Sequence, residues 1–160
     1  MKKISLTRGK FTLVDNSDYE SLNQYNWYCK SLGYAARNSR RNKFGKQREI
    51  LMHRVILGLE KSKKECDHIN GNRLDNRRTN LRICTPSQNQ ANVGLSKSNS
   101  SGFRGVGWDP IKFVKKWRAL IVVKGKHKFI GNFLLKEEAA HAYNEAAVKY
   151  FGVFAKLNKI

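Results

Sequence analysis

The stretch Glu65-Cys66-Asp67-His68-Ile69-Asn70-Gly71-Asn72-Arg73-Leu74-Asp75-Asn76-Arg77-Arg78-Thr79-Asn80-Leu81-Arg82-Ile83-Cys84-Thr85-Pro86-Ser87-Gln88-Asn89-Gln90-Ala91-Asn92 decides how the chain is read. Asp67-His68 is expected to end a short strand, Asn70 to Arg78 to form a turn-rich loop, and Asn80 to Cys84 to return as a strand. Pro86 then opens a short helix, where its missing N–H costs nothing. The pattern predicts a β-β-α hairpin that brings the Asp-His pair beside the helix face carrying Asn89.

Such a group has a defined chemistry. Asp67 and Asn89 offer two oxygen ligands and no thiolate, which suits a hard divalent cation such as Mg²⁺, or Mn²⁺, that keeps several waters. His68 is placed to take a proton from a water attacking a phosphodiester, with the metal stabilising the departing oxygen. A neutral imidazole is needed, so activity is expected to fall as the pH drops below its pKa. Arg73, Arg77, Arg78 and Arg82 flank the site with guanidinium forks that match phosphate oxygens. Cys29, Cys66 and Cys84 are an odd number with no Cys-x-x-Cys pair, so they read as free thiols. Cys66, although beside Asp67, reads as a buried strand cysteine. A single core histidine disfavours zinc.

These residues resemble the HNH nuclease motif, in the form common in phage and intron-encoded homing endonucleases. Met52-His53-Arg54-Val55-Ile56-Leu57 resembles the segment that precedes that motif. The first family histidine falls on His68, the central asparagine on Asn80 and the last position, often histidine, on Asn89. The resemblance implies a general base at His68, metal ligands at Asp67 and Asn89, and a loop-positioning amide at Asn80. His53 reads either as a phosphate-contacting residue or as a structural histidine packed beneath the loop, and the second reading is preferred.

Outward from the motif, the N-terminal part reads as short strands at 9–15, 26–29 and 33–36, with a short helix over 17–25. Arg37 to Arg48 holds six basic residues and little apolar surface, as a solvated loop or hairpin tip. Glu49 to Gly58 reads as a strand or a short helix. Small polar residues at 91–101 predict a flexible linker. Beyond it, 103–108, 117–123 and 128–133 read as three strands, with a tight hairpin at Lys124-Gly125-Lys126, and 136–151 as an amphipathic helix. The expected fold is α+β: a β-rich HNH unit over 1–90 with its ββα-metal core at about 50–92, a linker at 91–101, and a three-stranded antiparallel sheet packed on one helix over 102–160.

The last unit carries its own resemblance, to the DNA-binding domain of plant ethylene-response factors. The matching residues are Phe103-Arg104-Gly105-Val106, Trp117-Arg118-Ala119, Ile121, Ile130-Gly131, Phe133, Glu137-Glu138-Ala139-Ala140, Ala142-Tyr143, Ala146-Ala147 and Gly152 to Asn158. The resemblance implies a sheet that enters the major groove while its other face packs on the helix, and it makes Arg104 a DNA contact. Strand alternation puts Trp117, Ala119 and Ile121 on the helix side, and Arg118, Leu120, Val122, His127 and Phe129 on the outer face. Lys112, Lys115, Lys116, Lys124, Lys126 and Lys128 are candidate phosphate contacts.

Charge agrees with both resemblances. The chain has 160 residues, with 32 Lys plus Arg against 12 Asp plus Glu, a formal +20. Residues 1–90 carry 19 basic and 8 acidic side chains, net +11, and residues 91–160 carry 13 and 4, net +9. Relief of such self-repulsion calls for a polyanion. No apolar run approaches a membrane span, and the Met-Lys-Lys start leads into no secretory core. The expectation is a cytoplasmic, Mg²⁺-dependent homing endonuclease acting on double-stranded DNA, in a bacterial or phage-infected cell. Its candidate DNA contacts are Arg54, Arg73, Arg77, Arg78, Arg82, Arg104, Lys116, Arg118, Lys126 and Lys128. One active centre per chain implies nicking by a monomer, with a dimer or two events for both strands. No membrane or small-molecule substrate is expected. The alternative is a DNA-binding regulator with a structural HNH hairpin.

Overall fold

The computed structural model describes residues 1–96, 98–111 and 116–160. Lys112 and Lys115, named above, lie outside the described residues, as does Lys97 in the expected linker. The chain divides into two compact units, Met1–Thr85 and Pro86–Ile160. Small antiparallel sheets and, among the described residues, four α-helices make it the α+β class expected. No described helix is long and apolar enough to cross a membrane.

The first unit opens with a hairpin, β1 (Lys2–Ser5) and β2 (Phe11–Val14), turned by Arg8 and Gly9, both at positive φ. Helix α1 (Asn16–Asn23) follows, and Trp27 Nε1 donates to the Leu22 carbonyl at 2.8 Å to close its end. A three-stranded meander comes next: β3 (Tyr28–Cys29), β4 (Ala35–Asn38) and β5 (Glu49–Leu51). The Glu49 to Gly58 segment resolves into both elements foreseen for it, because helix α2 (Met52–Ile56) starts as β5 ends. Ile4, Val14, Leu22, Trp27, Met52 and Ile56 build the core, and Leu81 joins it from the hairpin β6 (Glu65–His68) and β7 (Leu81–Cys84). Burying a side chain such as Met52 completely contributes about 1.5–3 kcal/mol.

One connection positions the site. β2 offers its open edge to the loop between β6 and β7: Leu13 N donates to the Leu74 carbonyl and Asn76 N to the Leu13 carbonyl, each at 2.8 Å. Arg78 reinforces this, donating its backbone N–H to Asp15 and a two-pronged guanidinium pair to Asp18 at 2.9 and 2.7 Å. The turn-rich loop is thus tied to the N-terminal hairpin some sixty residues away.

The second unit begins with helix α3 (Pro86–Asn92), so the proline starts its helix as expected. Ala91, read from sequence as the first linker residue, is buried with Ile121, Tyr143, Ala147 and Phe151. The sheet runs β10-β9-β8, from β8 (Val106–Trp108), β9 (Trp117–Val123) and β10 (Lys126–Phe133). Lys124 and Gly125 both take positive φ in the two-residue turn, the geometry whose twist matches antiparallel strands. Helix α4 (Lys136–Phe151) covers one face of the sheet with Ala139, Ala140, Tyr143, Ala147 and Phe151. Tyr150, at helical spacing from Tyr143 and Ala147, is exposed instead. Asn158 fastens the C-terminus: it exchanges hydrogen bonds with Asn144 and with the backbone of Arg104.

Candidate active site

β6 and β7 pair in antiparallel register with His68 opposite Leu81 and Asp67 opposite Arg82. Because Leu81 is anchored in the core, the two chemical side chains sit at a fixed end of the hairpin, and both are buried. Asn80 closes the loop that follows. Its Oδ1 accepts from Asn70 N at 3.0 Å, and its Nδ2 donates to the Asp75 carbonyl at 2.8 Å. A side-chain amide can bridge a donor and an acceptor in this way, and no aliphatic residue can. Asp75 completes the loop, accepting from Asn70 Nδ2 and from both prongs of Arg77 at 2.7 Å. The Arg77 guanidinium holds the Asp75 carboxyl below the usual carboxylate range.

The hydrogen bonds around His68 determine where its proton sits. Thr12 Oγ1 donates to the Leu74 carbonyl at 2.8 Å, so its oxygen accepts from Asn76 Nδ2 at 2.7 Å. The Asn76 amide is thereby oriented with Oδ1 toward His68 Nε2, at 3.2 Å. An amide oxygen only accepts, so Nε2 carries the proton and Nδ1 the lone pair. Burial holds the imidazole below its ordinary pKa of 6.5, which keeps it neutral at pH 7. Thr12 and Asn76 were not among the residues singled out from sequence as site residues. Asn76 stands inside the stretch quoted first, but its partner Thr12 comes from β2.

Aromatic rings shield this histidine. His53 on α2 lies edge-on to His68, with centroids 5.1 Å apart, and Tyr34 packs against both. The Arg73 guanidinium covers the Tyr34 ring at 4.7 Å and donates to the Leu32 carbonyl. His53 is only 6% exposed, its Nδ1 has no hydrogen-bond partner, and burial pushes its pKa down to about 3. That is the preferred structural reading.

The His53 burial gives a stability signature. Below pH 6.5 the unfolded chain binds a proton at His53 that the folded chain refuses down to about pH 3. Folding stability is therefore complete above pH 6.5 and declines as the pH falls, by about 1.4 kcal/mol per pH unit for one proton. Urea unfolding at neutral pH and near pH 5 should show the decline, and His53→Phe should flatten it by about one proton. An identical slope in the variant would contradict this account.

The remaining candidates separate into groups. In the first unit, Arg82 pairs with Asp67 at 2.9 Å, Arg77 with Asp75 and Arg78 with Asp18. Arg54 donates to the carbonyls of Leu59, Ser62 and Lys64, bracing the chain that leads into β6. In the second unit Asn89 lies on α3. The outer sheet face carries Arg118, Leu120, Val122, His127 and Phe129, as alternation foretold, and Phe129 is 62% exposed. Lys126 and Lys128 pair with Val123 and Ile121, so they leave from the helix side, and Lys128 lies over the Tyr150 ring at 5.1 Å. Lys116 covers Trp108, and Arg104 donates to the Val93 carbonyl. Trp117 packs on the core beneath α4 and meets Trp108 edge-on.

The donor chemistry suits a hard cation. Asp67 supplies a carboxylate, whereas burial pushes the Cys66 and Cys84 thiols up to about 11, leaving no thiolate at neutral pH. Among the described residues, no group of three His, Cys, Asp or Glu could hold a metal.

Known proteins share this arrangement in sequence. An uncharacterized HNH endonuclease of Acanthamoeba polyphaga mimivirus is 33% identical over 158 residues, which cover 96% of this chain and 77% of the relative. Protein 3.8 of Escherichia phage T7 is 39% identical over 71 residues, 44% of this chain and 57% of that protein. Residues 51–91, from the last residue of β5 to the penultimate residue of α3, match the HNH endonuclease family. With the near full-length relative and the motif agreeing, the chain belongs to the HNH endonuclease family.

Proposed function

We propose that this chain hydrolyses phosphodiester bonds in duplex DNA, with His68 as general base. The observation that carries this reading is the Thr12–Asn76–His68 series of hydrogen bonds, which leaves the imidazole lone pair on Nδ1. Nδ1 takes a proton from the attacking water. The ring then becomes a cation whose Nε2–H already points at the Asn76 oxygen, so its charge meets a dipole that needs no rearrangement. Asn80 keeps the loop bearing Asn70 and Asp75 closed over the hairpin.

Asp67 and Asn89 would hold Mg²⁺ or Mn²⁺, which supplies charge stabilisation at the departing oxygen when bound. Arg82 orients the Asp67 carboxylate. Arg73, Arg77 and Arg78 keep exposed guanidinium surface near the loop for phosphate oxygens. In the second unit, the outer face with Arg118, His127 and Phe129 lies against the groove in the manner of the ethylene-response-factor domain, while Lys116 and Arg104 meet phosphates. The viral sources of both relatives support a mobile-element or homing role.

The test uses covalently closed circular duplex DNA with Mg²⁺, Mn²⁺ or EDTA. Metal-dependent conversion to nicked or linear forms is expected. Salt-sensitive binding with no cutting in any divalent metal would instead establish the regulator with a structural HNH hairpin.

A further inference from the structure

The segment between β4 and β5 has no part in the site described above, yet it holds much of the first unit's charge. Residues 37–48 contain six cations and no acid, out of a net +11 for that unit. They are organised as a hairpin extension. The pairing of Asn38 with Glu49 continues as Ser39 N to the Arg48 carbonyl at 2.8 Å and Asn42 N to the Lys46 carbonyl at 2.9 Å. At the tip, Asn42 Oδ1 accepts from Phe44 N at 3.0 Å and Lys46 N at 2.9 Å, while Gly45 takes positive φ. The tip presents Phe44 with 73% of its surface exposed. At the root, Arg37 stacks on Tyr25 at 4.0 Å and reaches toward Trp27 at 5.5 Å.

We propose that this ribbon is a DNA-gripping arm that enters the major groove beside the cut, with Arg40, Arg41, Lys43 and Lys46 on phosphates and Phe44 against base edges. Three physical facts favour duplex DNA as occupant. Five residues beyond the strand root extend about 16 Å, and the major groove is about 12 Å wide and 8.5 Å deep, enough to admit a two-stranded ribbon. Arg40, Arg41, Lys43 and Lys46 all lie exposed within seven consecutive residues of the ribbon, which puts four cations within reach of one stretch of phosphates. An exposed aromatic at the tip of a cationic hairpin has an apolar surface to meet, the thymine methyl, only once the cations have seated the ribbon.

The inference rests on the DNA reading above, and its test is independent of cutting. Binding of the full chain to a mixed-sequence duplex oligonucleotide is measured in EDTA across a series of KCl concentrations. Each cation withdrawn from a phosphate lowers the slope of log K against log salt by about 0.9, so R40A/R41A/K43A/K46A should reduce it by roughly 3 to 4. A second variant with glutamate at the same four exposed positions should weaken binding further. K10A/K61A/K63A/K64A removes equal charge elsewhere on the unit and should change the slope by less than about 1. Phe44→Ala should weaken binding about tenfold with the slope unchanged.

A slope unaltered in the arm variant, or an equal loss in the control, overturns the proposal. So does unchanged affinity in Phe44→Ala. A chain that shows the arm-dependent slope but never cuts circular DNA keeps the arm and loses the nuclease. Normal cutting beside an unchanged slope does the reverse.

Discussion

An Asn76→Leu protein is expected to bind duplex DNA as the wild type does and to cut it about 100- to 1,000-fold more slowly. Asn76 is fully buried and touches no solvent, so the effect arises through His68. Leucine has a similar volume but cannot accept from Nε2–H, and the ring then has no reason to keep its lone pair on Nδ1. Misassigned tautomers are costly in other histidine-dependent hydrolases, up to about 10⁴-fold where an acidic partner is replaced. Leucine also leaves the Nε2–H and the Thr12 oxygen without their partner, at about 1–3 kcal/mol each, so rates are compared where both proteins are folded. Asn76→Asp separates the two effects. Its carboxylate accepts from Nε2–H, and the Thr12 hydroxyl can rotate to donate to it. Most of the rate should survive in Asn76→Asp and be lost in Asn76→Leu. Equal rates in the two variants would show that the amide serves packing alone.

The second large effect belongs to the second unit. Gly105 sits at φ +70°, and a Cβ there would lie 2.1 Å from Tyr143 Cδ2 and 2.5 Å from the Leu120 carbonyl. The left-handed backbone costs an alanine roughly 1–2 kcal/mol, and the overlap with a buried ring adds another 1–3 kcal/mol. Gly105→Ala should therefore strip amide-exchange protection from β8, β9 and α4 while peptides from residues 1–85 stay protected. Unchanged protection of α4 would contradict the packing described. Tyr143 cannot withdraw easily, because it is buried with Ile121 and Ala147.

These two residues also mark what the chain discloses before its structure is known. Helix α4, strand β9 and the proline-led α3 were legible because hydrophobic period, turn glycine and helix-start chemistry are local properties. His68 and Asn80 were legible through spacing within one hairpin. Thr12 and Tyr34 were not, because they reach His68 through the parallel bridge between Leu13 and Asp75 and through the β-meander. Strand β1 escaped notice since its one buried residue, Ile4, makes no alternating pattern. The faces of Lys126 and Lys128 depended on the two-residue turn at Lys124 and Gly125. A shift of one position in that turn would have put both lysines beside Arg118. The arginines of the motif carried a double signal: they read as phosphate ligands, and Arg77, Arg78 and Arg82 also each hold an aspartate in the fold.

The central claim is that His68 moves the proton in a DNA-cutting reaction, and the rate of circular duplex cleavage by His68→Ala tests it most directly. General-base catalysis contributes about 10²- to 10⁴-fold. His68→Ala, folded and still bound to DNA, should cut slower than wild type by a factor in that range in saturating Mg²⁺. Cutting at the wild-type rate would contradict it.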